Sequence, residues 1–330
     1  MAGTPAAAIA VVMPVYNREN TVGRAIESVL GQSFGDFEFL IVDDGSVDRS
    51  PAIISGFDDP RIRYLRQPRN LGGCAARNRG IREARSPLVS FIDSDDCFLP
   101  RKLAYVCEYF GRRPDIDVLI DSYSLRYRPE KERADVARIN PVLNDSRRVE
   151  EAVFARRIYK PTPAITARRQ SLRDAGLFDE ALKRRQDMDL ILRLTRHARC
   201  ATTDQILWTK HWSGASISAE QKTFMYAMIE ICKRHPQYLS RPEFRVGLAR
   251  DTARHFLRLM RAGEFSSMAA DAGIFAGFRG TASLAGLIAE GLSEILRRSR
   301  EPGAPSQCSR RTSSSSESTS GARSIKTSES

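Results

Sequence analysis

Between Ile9 and Asp96, short apolar runs alternate with longer segments whose apolar residues recur every three to four positions. This alternation is the feature that most restricts the fold. A chain that reads strand, helix, strand, helix buries its strands on both faces and closes them into a mainly parallel α/β sheet. Residues 9–14 read as the first strand. A helix over 19–31 follows, with Val22, Ala25, Ile26, Val29 and Leu30 on one face. The pattern continues with strands over 37–42, 62–66 and 88–92 and helices over 50–56 and 73–84, and it loosens beyond Pro100, where separate strands are read over 118–120 and 122–128.

In open α/β sheets, ligands bind beyond the carboxyl ends of the strands, so the residues following each strand carry the functional information. They are Tyr16-Asn17 after the first strand, Asp43-Asp44-Gly45-Ser46 after the second and Asp93-Ser94-Asp95-Asp96 after the fourth. Three carboxylates at one strand end repel one another unless a cation or water offsets them. A hard divalent ion such as Mg²⁺ or Mn²⁺ takes carboxylate oxygens and shares its shell with phosphates. The same residues are also compatible with an acidic turn capping the helix after Pro100. Asp43-Asp44 can accept the N–H of a base, and Tyr16, on the same edge, can stack on it.

Three further segments carry candidate chemistry. Asn70-Leu71-Gly72-Gly73 leads into a helix with Arg77, which can bring backbone amides and a guanidinium to a phosphate, or can simply be a well-packed helix start. No GxGxxG or GxxxxGK[ST] motif is present, which removes the dinucleotide and ATP-cradle readings. Gln186-Asp187-Met188-Asp189-Leu190 opens a helix whose dipole favours the ionised carboxylate that a general base requires, though charge at a helix start also stabilises by itself. Among the histidines at 197, 211, 235 and 255, only His211 lies in a polar loop, Lys210 to Ser218, able to close over a ligand.

Taken in order, these motifs resemble the family 2 glycosyltransferases of the GT-A fold. The segments that carry the likeness are Val12-Met13-Pro14-Val15-Tyr16-Asn17, Asp43 to Ser46, Asn70 to Gly80, Asp93 to Asp96 and Gln186 to Leu190. The resemblance spans about residues 9–218. It implies a Rossmann-like sheet flanked by helices and inverting transfer of a sugar from a nucleoside diphosphate, UDP favoured, to a hydroxyl of a saccharide or lipid-linked acceptor. By that likeness Pro14, Tyr16, Asn17, Asp43, Asp44, Asn70, Gly72, Arg77, Asp93 and Ser94 form the nucleotide site. Asp95, with Asp93 and His211, holds Mn²⁺ or Mg²⁺, and Asp187 is the base. Gln186 and Met188 depart from the family's usual residues beside the base, which bears on the acceptor more than on the reaction.

The domain expectation is a catalytic unit over residues 1–220, a helical extension over 221–300 and a disordered tail over 301–330, where eleven of thirty residues are Ser. The charged stretch 129–148 reads as a mobile loop. Arg250, Arg254, Arg258 and Arg261 fall on one helical face, so the extension either packs on the catalytic unit or contacts an anionic membrane peripherally. No run of 18 apolar residues and no signal-peptide pattern occurs, which predicts a cytoplasmic protein, with the inner membrane face as the peripheral site.

Composition narrows the alternatives. Apolar residues at 42% and charged residues at 28% are ordinary globular usage. The net charge of +12 comes from 52 basic residues of which only eight are Lys. It lacks the aromatic interleaving of a nucleic-acid platform, and no nucleic-acid partner is expected. Six cysteines without CxxC spacing read as reduced thiols. A phosphate-receiving signalling domain needs its acidic pair after the first strand, which here ends in Pro14-Val15-Tyr16-Asn17, and a phosphatase with a DxD nucleophile expects that motif on the first strand, whereas here it follows the fourth. A catalytically inactive sugar-nucleotide-binding scaffold is the remaining non-enzyme alternative.

Overall fold

The computed structural model describes residues 7–127, 134–212, 224–276 and 284–300. Its sheet begins with the expected alternation. Strands β1 (Ile9–Val15), β2 (Phe37–Asp43), β3 (Ile62–Arg66) and β4 (Leu88–Phe91) alternate with helices α1 (Val22–Leu30), α2 (Ser50–Ser55) and α3 (Gly73–Glu83). The apolar runs become strands because both of their faces are covered, and β2 is buried along its whole length. β1 lies between β2 and β4 and pairs with both in parallel; Val15 stands opposite Asp43. Glycine at 80 lets α3 press on β1, since a Cβ there would lie 2.4 Å from Val12 Cγ1.

The second half of the sheet is mixed, where the sequence pattern suggested a mainly parallel one. It contains β5 (Cys97–Phe98), β6 (Val118–Arg126), β7 (Val136–Arg138), β8 (Ile165–Arg168) and β9 (Cys200–His211), with α4 (Lys102–Arg112), α5 (Ser146–Phe154), α6 (Arg169–Asp174) and α7 (Gln186–His197) between them. The order across the sheet is β3-β2-β1-β4-β8-β6-β9-β5, and β7 joins β6. β8 runs antiparallel to both β4 and β6, so it reverses the sheet's direction at its centre. β5 pairs with β9, Cys97 opposite Thr209, and this carries Lys210 and His211 back to the acidic end of β4.

Two local expectations change. Residues 118–120 and 122–128 were expected as separate strands. They form one strand with an irregular register around Asp121 and Ser122, because Asp121 is drawn inward by Lys102 Nζ at 2.5 Å and Trp208 Nε1 at 2.9 Å. The charged stretch 129–148 is not one loop: Val136–Arg138 pairs with β6, and α5 begins at Ser146 behind an Asp145 cap that accepts the Arg148 N–H. Residues 129–133 of that stretch lie outside the described residues.

The C-terminal helices α8 (Phe224–Arg234), α9 (Gln237–Ser240), α10 (Pro242–Arg261), α11 (Phe265–Ala276) and α12 (Leu284–Arg300) follow. α10 abuts α5, where a Cβ on Gly247 would lie 2.5 Å from the Phe154 carbonyl, and Phe154 stacks on Phe244 at 4.4 Å. The expected basic face is therefore shortened. Arg250 is buried because α10 is covered on several sides, and Arg254, Arg258 and Arg261 remain exposed. Among the described residues no helix is long and apolar enough to cross a membrane. The Ser-rich segment 301–330 lies outside the described residues, as do residues 213–218 of the loop after His211.

Candidate active site

A cleft of about 360 Å³ opens at the carboxyl ends of β1, β2 and β4. Its walls include Pro14, Tyr16, Arg18, Asp44, Asn70, Gly72, Arg77, Asp93, Ser94, Asp95, Gln186 and Lys210. Eight of the ten residues expected to hold a nucleotide therefore meet on one surface. Asn17 and Asp43 do not line it. Asn17, at φ 50°, ties the β1 loop to the β2 loop: its N–H donates to Ser46 Oγ at 3.0 Å, and its Oδ1 accepts the Val47 N–H at 3.0 Å. Asp43 is fully buried and accepts from the Ser46 N–H at 2.8 Å and the Tyr64 hydroxyl at 2.7 Å.

Asp44 organises the opposite wall. Its Oδ1 accepts from Gln67 Nε2 at 2.5 Å and the Leu71 N–H at 2.8 Å, and its Oδ2 accepts the Gly72 N–H at 2.8 Å. The carboxylate thus fixes the Asn70–Gly72 turn. Gly72 has φ +97°, a conformation that L side chains rarely adopt. Gly45, at φ +76°, has no room for a side chain, since a Cβ would lie 2.7 Å from the Arg69 carbonyl carbon. Tyr16 is 40% exposed at the mouth, where its ring can present a face to a planar ligand.

Beyond β4 the carboxylate ligand atoms of Asp93, Asp95 and Asp96 lie within 4.8 Å of one another. Arg77 donates to Asp93 Oδ1 at 2.6 Å. Burial alone would raise the Asp93 carboxyl, but the charges of Arg77, Lys210 and Arg18 hold it below the ordinary range. Asp95 moves the other way, raised by burial and by the charge of Asp93. Asp96 is raised further by burial, even with Lys210 nearby. Its Oδ1 accepts the His211 N–H at 3.0 Å, while Oδ2 is buried with no hydrogen-bond partner and has Lys210 Nζ 3.8 Å away. A set of crowded, hard oxygen donors with one oxygen orphaned fits a divalent cation.

His211 enters this cluster through its backbone. Its imidazole is pushed down to about 4, first by burial and then by Arg24 and Arg126, and it is not among the clustered ligand atoms. Sequence reasoning missed Lys210, Arg18 and Gln67 as parts of the site. Lys210 stood beside His211 in the segment already singled out, and pairing of β9 with β5 is what places its ammonium against the carboxylates. Nothing in the sequence marked Gln67, whose role depends on β3 ending beside β2.

Asp187, on the first turn of α7, does not line the cleft. It lines a second cavity of about 270 Å³ with Arg156, Lys160, Lys183, Arg184 and Arg185, and Gln186 is a wall of both spaces. One Asp187 oxygen accepts the Met188 N–H at 2.7 Å. α7 is anchored one residue further on. Asp189 is buried and accepts from His235 Nε2 at 3.0 Å and Arg193 Nη2 at 2.7 Å, and Arg196 donates to His235 Nδ1 at 2.8 Å. Burial would raise Asp189, but His235 and Arg193 hold it low. His235 is therefore a structural partner of this helix.

Residues 10–164 match the model of glycosyl transferase family 2. Over 216 residues the chain is 33% identical to the succinoglycan biosynthesis protein ExoO of Rhizobium meliloti (strain 1021), covering 63% of this chain and 61% of that protein. It is 31% identical over 188 residues to the minor teichoic acid biosynthesis protein GgaA of Bacillus subtilis (strain 168), covering 52% and 40%. The chain thus spans less than two thirds of each of these relatives. Among solved structures, S. aureus TarS 1-349 in complex with UDP-GlcNAc superposes with a TM-score of 0.57 at 20% identity, covering 68% of this chain and 66% of that one. The mannosyltransferase PcManGT of Pyrobaculum calidifontis, in complex with GDP-Man and Mn²⁺, gives 0.53 at 17%, covering 89% and 81%. These two likenesses establish a shared fold.

Proposed function

The chain belongs to glycosyl transferase family 2, and from that premise we propose that it moves a sugar, with inversion, from a nucleoside diphosphate to an acceptor hydroxyl in the synthesis of a cell-surface polysaccharide or glycolipid. The observation that carries this reading is the cleft itself. An exposed aromatic ring, a carboxylate-fixed turn and a carboxylate cluster with one orphaned oxygen stand on one sheet edge, flanked by Arg18, Arg77 and Lys210.

In this reading Tyr16 stacks on the base, Asp44 shapes the Asn70–Gly72 turn against it and Arg77 steadies Asp93. UDP is the favoured nucleotide, as in the TarS complex. Asp93, Asp95 and Asp96 hold Mn²⁺ or Mg²⁺. When bound, such an ion offsets the charge that grows on the departing diphosphate. Lys210 and Arg18 add positive charge to the same wall. Asp187 removes the acceptor's proton; the acceptor oxygen bonds to the anomeric carbon as the bond to the diphosphate oxygen breaks, and that oxygen leaves with the electron pair. A single displacement of this kind inverts the anomeric centre. Gln186, which borders both spaces, marks where donor and acceptor meet.

Calorimetric titration with UDP, GDP, dTDP and CDP, each with Mn²⁺ and with chelator, tests the donor half. Metal-dependent binding of one nucleotide, abolished by Asp95→Ala, is the expected result. Failure of every nucleotide to bind a folded sample overturns it and favours a scaffold that has lost the site.

A further inference from the structure

The cavity around Asp187 has a charge that the transfer of a sugar to a neutral hydroxyl does not require. Five cationic side chains, Arg156, Lys160, Lys183, Arg184 and Arg185, surround the one carboxylate of Asp187. A second carboxylate, Asp251 of α10, stands behind them and pairs with Arg156 at 2.8 Å and Arg185 at 3.4 Å. Those two guanidiniums are thereby held in place. Among the described residues, Lys160 and Lys183 form no ion pair, although Lys160 is half-buried and Lys183 is exposed at the rim.

The charge is costly to assemble. Burial and the neighbouring Arg156 push the Lys160 ammonium down to about 8, against the pull of Asp187 and Asp251. Arg156 and Arg185 also sit in the left-handed backbone region, at φ 57° and 61°; such non-glycine residues persist where the surrounding structure over-determines them. The start of α7 adds the partial positive charge of a helix N-terminus to the same space. Neutral sugars are met by hydrogen-bonding side chains and aromatic faces, whereas a crowd of Lys and Arg matches phosphate oxygens.

We propose that this cavity binds a phosphate or diphosphate group carried by the acceptor, gripped by Lys160, Lys183 and Arg184 while the receiving hydroxyl lies at Asp187. The placement of the hydroxyl rests on the transferase reading; the anion site stands on its own residues. A lipid-linked diphosphate and a phosphodiester polymer share this chemistry, and the test separates them.

The full chain is titrated calorimetrically in chelator with inorganic pyrophosphate, farnesyl diphosphate and glycerol phosphate. Without a metal, the carboxylates of the nucleotide cleft disfavour anions. Binding to the wild type, weakened at least about tenfold by Lys160→Met with Lys183→Ala and kept in Asp95→Ala, supports the site, since each charge-assisted contact is worth about that factor. Tighter binding of the prenyl compound assigns the lipid-linked source, and tighter binding of glycerol phosphate assigns the polymer. Binding that is absent in the wild type, or unchanged in the double variant, overturns the proposal. Nucleotide titration with Mn²⁺ on the double variant reports its folding. Pyrophosphate binding here without nucleotide binding leaves the anion site standing and removes the transferase reading; the reverse removes only the anion site.

Discussion

The nucleotide cleft and the cavity beside it share Gln186 as a wall, yet they are built in opposite ways. The cleft is assembled from consecutive strand ends of one parallel half-sheet, and its centre is acidic, with Asp93, Asp95 and Asp96 crowded together. The cavity is assembled from the end of α5, the segment before α7 and α7 itself, with Asp251 of α10 behind, and it is basic. An acidic centre suits a ligand that arrives with a metal ion, and a basic one suits an anion that arrives without it. If both readings hold, two phosphate-bearing ligands are kept apart by a different counter-charge at each space.

The strongest test of this division removes the one carboxylate in the basic cavity. Asp187→Asn is expected to reduce turnover by ~10²–10⁴-fold, the usual contribution of a general base, while calorimetry finds nucleotide binding unchanged. Near-normal turnover would take the base away from Asp187. The matching change in the acidic cleft, Asp95→Ala, is expected to weaken Mn²⁺-dependent nucleotide binding by at least about 100-fold, because losing even an outer partner of a metal ligand costs ~10–100-fold. Retained affinity would mean that the carboxylates do not hold the ion.

The two regions also differ in how much of them could be read from the sequence. β1 to β4 and their helices were legible because each strand is a short run rich in apolar residues, and the acidic ends of β2 and β4 follow at once, so those site residues stand next in sequence to the strands that position them. Lys210 was not, because its place beside Asp96 depends on β9 pairing with the two-residue strand Cys97–Phe98. Asp43 and Asn17 were read as ligand-facing, but both are spent on loop hydrogen bonds that only the folded register reveals. Asp187 was visible at a helix start, while the cations around it were not, since Arg156 and Arg185 are brought together by Asp251 from a helix far along the chain.

The anchoring of α7 tests whether the basic cavity depends on the C-terminal helices. His235→Ala removes a buried donor to Asp189 and the acceptor for Arg196. It is expected to lower unfolding free energy in urea by ~1–3 kcal/mol, the cost of leaving buried polar groups without partners, with nucleotide affinity preserved in the folded fraction. An unchanged midpoint would mean that α7 is held by its apolar face alone. On the cleft side, Tyr16→Ala is expected to weaken nucleotide binding by about fivefold, the low end of ~1–3 kcal/mol for base stacking, because the ring is partly exposed. Equal affinity would move the base elsewhere on the wall.

The smallest effect separates the two regions by pH. Lys160 has its ammonium lowered to about 8 in the folded protein by burial and Arg156, from an ordinary 10.5. Between those values the unfolded chain binds a proton that the native state has released, so this group's destabilising contribution is full below about 8 and fades as pH rises. Anion binding has the opposite sign, because the charge that attracts the ligand is present below about 8 and lost above it. If the basic cavity grips an acceptor phosphate, KM for a phosphorylated acceptor should rise by about two- to fivefold between pH 7 and 9, the worth of one partly solvated ion pair. Lys160→Met should show the higher KM at both pH values and so lose that dependence, while KM for the nucleotide sugar, bound in the acidic cleft, should not follow it. An acceptor KM that rises equally in wild type and variant would place the titrating group outside this cavity.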